Sequence, residues 1–311
     1  MRVIFFGTPD FAVESLDAIM QSDHEVVAVV TVPDRQAGRG QKVIYSAVKE
    51  YALEHQLPLL QPEKLRDTDF LAALAEYNAD VFVVVAFRML PEAVWNMPPH
   101  GTFNLHASLL PRYRGAAPIN WAIINGEKET GVTTFLLNHN IDEGAILLQE
   151  STPIADNETA GSLHDRLATM GRALVVRTLD GMAKGTITPM PQKGIPCPAP
   201  KIFKEDCRID FRKTSAEVER FVRGLSPYPA ATMTLTNPKG EEVPFKVYSV
   251  QPLVETPSKP CDTLICDGKR VLKMATGNGF VQICELQMAG KKKNSVEDFL
   301  RGNSLTGWKS A

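Results

Sequence analysis

RVIFFGTPDFAVESLDAIM, residues 2–20, followed by VVAVVT, Val26 to Thr31, decides the fold class. Residues 2–6 read as a strand without polar alternation, as in a parallel sheet covered on both faces. Gly7 permits a tight turn, and Pro9 and Asp10 suit a helix start. Phe11, Leu16, Ile19 and Met20 then recur at helical spacing. With Val26 to Thr31 as a second buried strand, the opening is a β-α-β unit. It lacks G-x-G-x-x-G, which weakens a dinucleotide-binding reading.

The alternation continues. A helix is expected from about Ser46 to Gln56, a short strand at Leu57–Leu60 and a helix over Asp67–Tyr77. VFVVVAF, Val81 to Phe87, is the strongest strand and belongs at the sheet centre. A helix at Pro91–Asn96, a strand at Phe103–His106 and a helix at Ala116–Glu127 follow. Strands at Thr130–Leu137 and Ala145–Glu150 and a helix at Ala160–Ala183 complete an α/β domain over 1–184, with a doubly wound, mostly parallel, Rossmann-like sheet. Gly185 to Pro200 holds five prolines and two glycines, the composition of an extended linker, taken over 185–204. Beyond it lie a helix at Ser215–Gly224 and short strands at Ala231–Thr236, Val243–Val250, Thr263–Cys266, Val271–Ala275 and Gly279–Leu286. These predict a smaller C-terminal β-barrel, OB-like, over 205–311.

The 311 residues are 44% hydrophobic and 23% charged, as globular proteins are. No apolar run approaches the ~20 residues that span a bilayer, and the opening reads as a strand and not as a signal peptide. Five cysteines, odd in number and without paired metal spacing, read as reduced thiols. A cytoplasmic protein without a metal is expected, and no stretch demands a partner chain, so a monomer. Net charge is −2, but residues 1–200 carry 16 Lys and Arg against 23 Asp and Glu, a net of −7. Residues 201–311 carry 18 against 13, a net of +5. A basic C-terminal part suggests a polyanionic partner.

FNLHASLLPRYRG, Phe103 to Gly115, carries the chemistry. Asn104 and His106 lie two apart and share a strand face. An amide beside an imidazole can hold a carbonyl oxygen and manage a proton. A lone N-x-H is more often a pair of satisfied polar groups, but NIDEGAIL, Asn140 to Leu147, adds the acid Asp142 in a Gly-closed loop after a strand. Three such groups at strand ends fit acid–base chemistry at the edge of a parallel sheet. Ser108 lies in a turn without a dedicated base and reads as structural. Pro33 to Lys49 is a polar loop, either plain surface or a basic arm that reaches a phosphate backbone.

These residues are similar to a known family. FFGTPDFAV, PDRQAGRGQK, FNLHASLLPRYRGAAPINWAIINGE, ETGVTTF with IDEGAIL, and PAPKI resemble the folate-dependent formyltransferases, and among them the tRNA-acting branch, over essentially the whole chain. The resemblance implies Asn104, His106 and Asp142 as catalytic residues and 10-formyltetrahydrofolate as the formyl donor. It implies donor binding by Phe87, Arg88, Leu90, Ser108, Leu109, Leu110, Pro111, Asn138 and Gly144. It implies initiator methionyl-tRNA as acceptor, met by Arg35, Arg39 and Lys42 in the polar loop and by Lys201, Lys291, Lys292 and Lys293 around the barrel. His139, where the family usually has another residue, reads as an exposed loop residue. The alternatives are a formyltransferase for an amino sugar nucleotide or purine precursor, a hydrolase that releases formate, and a non-catalytic tRNA-binding protein.

Overall fold

The computed structural model describes residues 1–37, 42–256 and 259–311. They form two compact units: Met1–Pro118, Glu129–Pro153 and His164–Ala199 make the first, and Ile119–Lys128, Ile154–Leu163 and Pro200–Ala311 the second. This division by contacts is interleaved along the chain.

The first unit opens with β1 (Arg2–Gly7), α1 (Asp10–Met20) and β2 (Glu25–Val30). Every residue of β1 from Val3 to Phe6 is fully buried, which is why that strand carries no polar alternation. The stretch expected as a polar loop instead forms a two-stranded antiparallel ribbon of β3 (Arg35–Ala37) and β4 (Lys42–Ile44). Next come α2 (Ala47–Glu54), β5 (Leu59–Leu60), α3 (Thr68–Glu76), β6 (Val81–Val85) and α4 (Glu92–Trp95). Ser46 caps α2 by accepting from the Lys49 amide, and Asp67 caps α3. β6 stops two residues before Phe87, because Ala86 turns into the left-handed region at φ 48°. β7 (Thr102–His106) and β8 (Arg112–Gly115) follow, then α5 (Pro118–Ile124), which from Ile119 on belongs to the second unit. β9 (Glu129–Leu136), β10 (Ile146–Pro153), α6 (Ala160–Ala183) and β11 (Cys197–Ala199) end this part of the chain.

The sheet runs β10-β9-β7-β6-β1-β2-β5, parallel from β7 to β5, with β9 antiparallel to β7 and β10 antiparallel to β9. Val84 stands beside Asn104 in the parallel register. Asn104 therefore shares a face with the apolar cluster of Ile4, Phe6, Phe82, Val84, Leu90 and Val94. Leu105 points the other way, so close to α6 that a Cβ on Gly171 would lie 2.6 Å from it. Thr134 on that same side bonds Thr178 of α6 at 2.9 Å. The expected linker is extended but partly paired. Met190 and Ile146 exchange two main-chain hydrogen bonds, and β11 lies parallel to β8.

The second unit carries α7 (Ser215–Leu225), β12 (Ala231–Thr236), β13 (Glu242–Leu253), β14 (Leu264–Cys266), β15 (Leu272–Thr276), β16 (Gly279–Met288), β17 (Asn294–Ser295), α8 (Val296–Gly302) and β18 (Lys309–Ser310). A capping box of Thr214 and Glu217 starts α7. The antiparallel order is β14-β15-β16-β13-β12-β18, curled around Met233, Leu235, Phe245, Val247, Met274 and Ile283. Its two edges meet where Ser310 donates to Asp262, just before β14, at 2.6 Å. This is the small barrel expected from the short, turn-bounded strands.

Candidate active site

β7 ends at His106 because the next residues turn away from the sheet. Ser108, with no exposed surface, donates its hydroxyl to the Arg112 carbonyl at 2.6 Å. Thr133 on β9 donates to the Ser108 carbonyl at 2.6 Å, accepts from the Leu110 amide at 3.3 Å and accepts from Gln149 at 2.8 Å. One hydroxyl thus fixes both ends of the turn. In the antiparallel register Thr133 stands opposite His106, so the turn folds back over the face that bears the imidazole.

His106 is 6% exposed. Its Nε2 lies 2.8 Å from the Tyr113 carbonyl. A carbonyl only accepts, so Nε2 carries the proton. Nδ1 is the nitrogen left for chemistry, and it faces Asp142 Oδ2 at 3.9 Å. That is ion-pair range and longer than a hydrogen bond. Phe135, diagonal to it across the β7–β9 pair, presents its edge to the ring with centroids 6.4 Å apart. Asn104, half-buried on the same strand face, has no protein hydrogen-bond partner for its side-chain amide among the described residues. An amide held at a sheet end and left unsatisfied by protein is available to a ligand.

Asp142 sits at φ 54° in the loop between β9 and β10. Its Oδ2 accepts from the Gly115 amide at 2.8 Å, and Oδ1 has no protein partner among the described residues. Gly115, at φ 123°, brings that amide in only because it lacks a side chain: a Cβ would lie 2.5 Å from the Ala199 carbonyl. Gly144 closes the loop with equal stringency, since a Cβ there would overlap the Leu136 carbonyl at 1.5 Å. Arg114 and Gln192 complete the ring. Gln192 donates to the Asp142 and Gly144 carbonyls at 2.8 and 3.0 Å and accepts from two Arg114 nitrogens. Arg114 also pairs with Glu143 at 2.7 Å. Asn104, His106 and Asp142 all come from this one unit.

The residues expected at the donor site divide by burial. Phe87 is half-buried with its ring edge-on to Phe6 at 5.7 Å. Arg88 donates to the Glu63 carbonyl at 2.9 Å and to the Pro62 carbonyl, and burial pushes its guanidinium below the usual range. Its Nε is buried without a partner. Leu90 belongs to the apolar cluster. Ser108, Leu110 and Pro111 are buried, so Leu109 alone of that run has a half-exposed side chain. The Ser108 side chain is a turn-holder, with its hydroxyl already committed. Asn138 is exposed and its side chain accepts from the Asn140 amide at 2.9 Å. His139 is exposed, as expected, beside Trp95 and Glu92.

Of the cations, Arg35 is exposed on β3 and Arg39 lies outside the described residues. Only the backbone of Lys42 is described, on β4. Lys201 is exposed with its ammonium 5.2 Å over the Phe203 ring. Lys291 and Lys292 are exposed in the β16–β17 loop. Lys293, expected with them at the tRNA, lies 2.8 Å from Glu285 and 4.9 Å from the Tyr248 ring centre. Sequence reasoning missed Thr133, Arg114, Gln192 and the Tyr113 and Gly115 backbone groups. Tyr113, Arg114 and Gly115 lie within FNLHASLLPRYRG, and Thr133 within ETGVTTF.

An uncommitted amide, an imidazole with one free nitrogen and a carboxylate with one free oxygen suit transfer of an acyl group to an amine. Residues 1–179 match the family described as formyl transferase, and residues 201–304 match formyl transferase, C-terminal domain. The chain belongs to the formyl transferase family. A curated relative from Bacteroides fragilis, 51% identical over 311 residues and covering 98% of this chain and 96% of its own, is named methionyl-tRNA formyltransferase. Two solved structures share the fold. HypX from Aquifex aeolicus, in complex with tetrahydrofolic acid, has a TM-score of 0.65 at 20% identity; the match covers 99% of this chain and 48% of HypX. WlaRD, a sugar 3N-formyl transferase, has a TM-score of 0.65 at 20% identity, over 94% of this chain and 99% of its own.

Proposed function

We propose that this protein transfers the formyl group of 10-formyltetrahydrofolate to the free α-amine of initiator methionyl-tRNA, in the cytoplasm, for translation initiation. The observation that carries it is the unsatisfied Asn104 amide on the strand face shared with His106, whose free Nδ1 faces Asp142. The near full-length likeness to a relative of that name supports the acceptor.

In this reading the amine nitrogen attacks the formyl carbon, and negative charge develops on the formyl oxygen. The Asn104 amide and, when the ring is protonated, His106 Nδ1–H donate to that oxygen. The amine proton leaves through Asp142 Oδ1, directly or by one water. The bond from the formyl carbon to the folate N10 then breaks as N10 takes up a proton. The Gly115 amide on Oδ2 keeps the carboxylate aimed beside His106 Nδ1. In this reading the donor lies by Phe87, Arg88 and Leu109 and by the loop of Asn138 and Gly144. Residues 1–184 carry the chemistry, and the basic part from 205 to 311 holds the tRNA, with Arg35, Lys201, Lys291 and Lys292 on its phosphates.

The test offers 10-formyltetrahydrofolate with charged initiator methionyl-tRNA, with an amino sugar nucleotide, and with water alone. Formyl-methionyl-tRNA as the main product is expected. Transfer to the sugar, or release of formate, would overturn the acceptor while leaving the three polar residues in play.

A further inference from the structure

The geometry points to Gln192 as a positioning residue for Asp142, delivered from the proline-rich stretch. The inference rests on the formyl-transfer reading above. Asp142 adopts a left-handed backbone, φ 54°, which Asp tolerates better than most non-glycine residues but which its surroundings here hold in place. Two groups grip it. The Gly115 amide holds its carboxylate, and the Gln192 amide holds its carbonyl at 2.8 Å. The same Gln192 nitrogen reaches the Gly144 carbonyl at 3.0 Å, so one side chain spans the loop on both sides of Glu143.

The other end of Gln192 is equally committed. Its oxygen accepts from Arg114 Nε and Nη2 at 3.1 and 2.7 Å, while Arg114 Nη1 goes to Glu143 at 2.7 Å. Arg114 directly precedes Gly115 on β8. Residues 114, 115, 142, 143 and 192 thus form a closed ring of hydrogen bonds around the carboxylate. The segment that supplies Gln192 is itself pinned. Met190 and Ile146 exchange main-chain bonds of 2.9 and 2.7 Å, and Cys197–Ala199 pairs with Arg112–Gly115. Gln192 uses every donor and its acceptor oxygen in this ring, and a side chain of its length reaches both walls.

Gln192→Met keeps length and bulk and removes every bond of the ring that Gln192 makes. Gln192→Glu keeps the acceptor for Arg114 but turns an acceptor toward two carbonyls. Both variants are expected to lose about ten- to a hundredfold in kcat, the scale of a small misplacement of a reacting group. The KM for 10-formyltetrahydrofolate should change little. In an Asp142→Asn background Gln192→Met should cost nothing further, since it acts through the carboxylate. Equal losses in both backgrounds, or an unchanged kcat, would overturn the inference. A second readout needs no turnover. The Gly115 amide proton, hydrogen-bonded to the Asp142 carboxylate, should move in the NMR spectrum of Gln192→Met relative to wild type. An unmoved Gly115 resonance overturns the positioning role even if the acceptor proves to be something other than tRNA. A moved resonance in a protein that does not formylate tRNA supports it and condemns only the acceptor.

Discussion

His106 Nε2 donates its proton to the Tyr113 carbonyl at 2.8 Å, and Tyr113 turns that carbonyl inward because its own backbone is left-handed, φ 60°. The tautomer of the imidazole is therefore set by main chain. The carboxylate of Asp142, 3.9 Å from Nδ1, is released from the task of orienting the ring and left to handle charge and proton.

Asn104→Ala should lower kcat by about 10²–10³, the loss typical of one oxyanion donor. Its amide bonds no protein group among the described residues, so thermal stability should change by less than about 1 kcal/mol. Single-turnover formyl transfer beside a melting curve checks both. Near-normal turnover would remove Asn104 from the reaction.

Thr133→Val keeps the shape of a buried side chain and deletes the hydroxyl that ties Ser108, Leu110 and Gln149 together. Leaving buried polar partners unmet costs about 1–3 kcal/mol. The turn carrying Leu109 should loosen, and the KM for the folate donor should rise more than kcat falls. Steady-state kinetics with varied donor separate the two.

His24 gives the fold a pH dependence of known sign. Burial, aided by the nearby Met1 amino group, lowers its pKa from 6.5, outweighing the raising influence of Asp180 and Asp23. Between that lowered value and 6.5 the unfolded chain binds more protons than the fold. Stability from this site is thus complete above 6.5 and falls as pH drops through that window. Melting temperatures followed from about pH 7.5 down to about 5 should decline less steeply in His24→Gln than in wild type. Parallel curves would acquit His24.

Replacing Lys291 and Lys292 together with Ala should reduce the salt dependence of tRNA binding, lowering the slope of log affinity against log salt by about 2. Lys293→Ala should change it by less than about 1, because that ammonium already faces Glu285 at 2.8 Å. Binding measured over a salt series decides. An unchanged slope in the double variant would clear that loop of phosphate contact.

Much of the fold was legible because burial imposed a period. β12, ATMTLT, alternates buried and half-buried along its whole length, and its bounds can be read from the letters. Asn104 and His106 were legible for the same reason, since a period of two places them on one face. β8 and β11 were not: three or four residues in a Pro- and Arg-rich context carry no period, and their pairing joins segments about 80 residues apart. The Tyr113 carbonyl and Gly115 amide were invisible because every residue has those groups, and only backbone geometry makes them functional. An aromatic side chain at position 87 reads as strand, whereas Ala86 already turns the chain.

The chain passes from one compact unit to the other five times, after residues 118, 128, 153, 163 and 199. A protein shortened to residues 1–184 would therefore not be a trimmed domain. It would keep Ile119–Lys128 and Ile154–Leu163, two pieces whose home is elsewhere, and Ile124 would lose the apolar cluster it packs against. A cut at residue 184 would also strip Gln192 from the loop of Asp142.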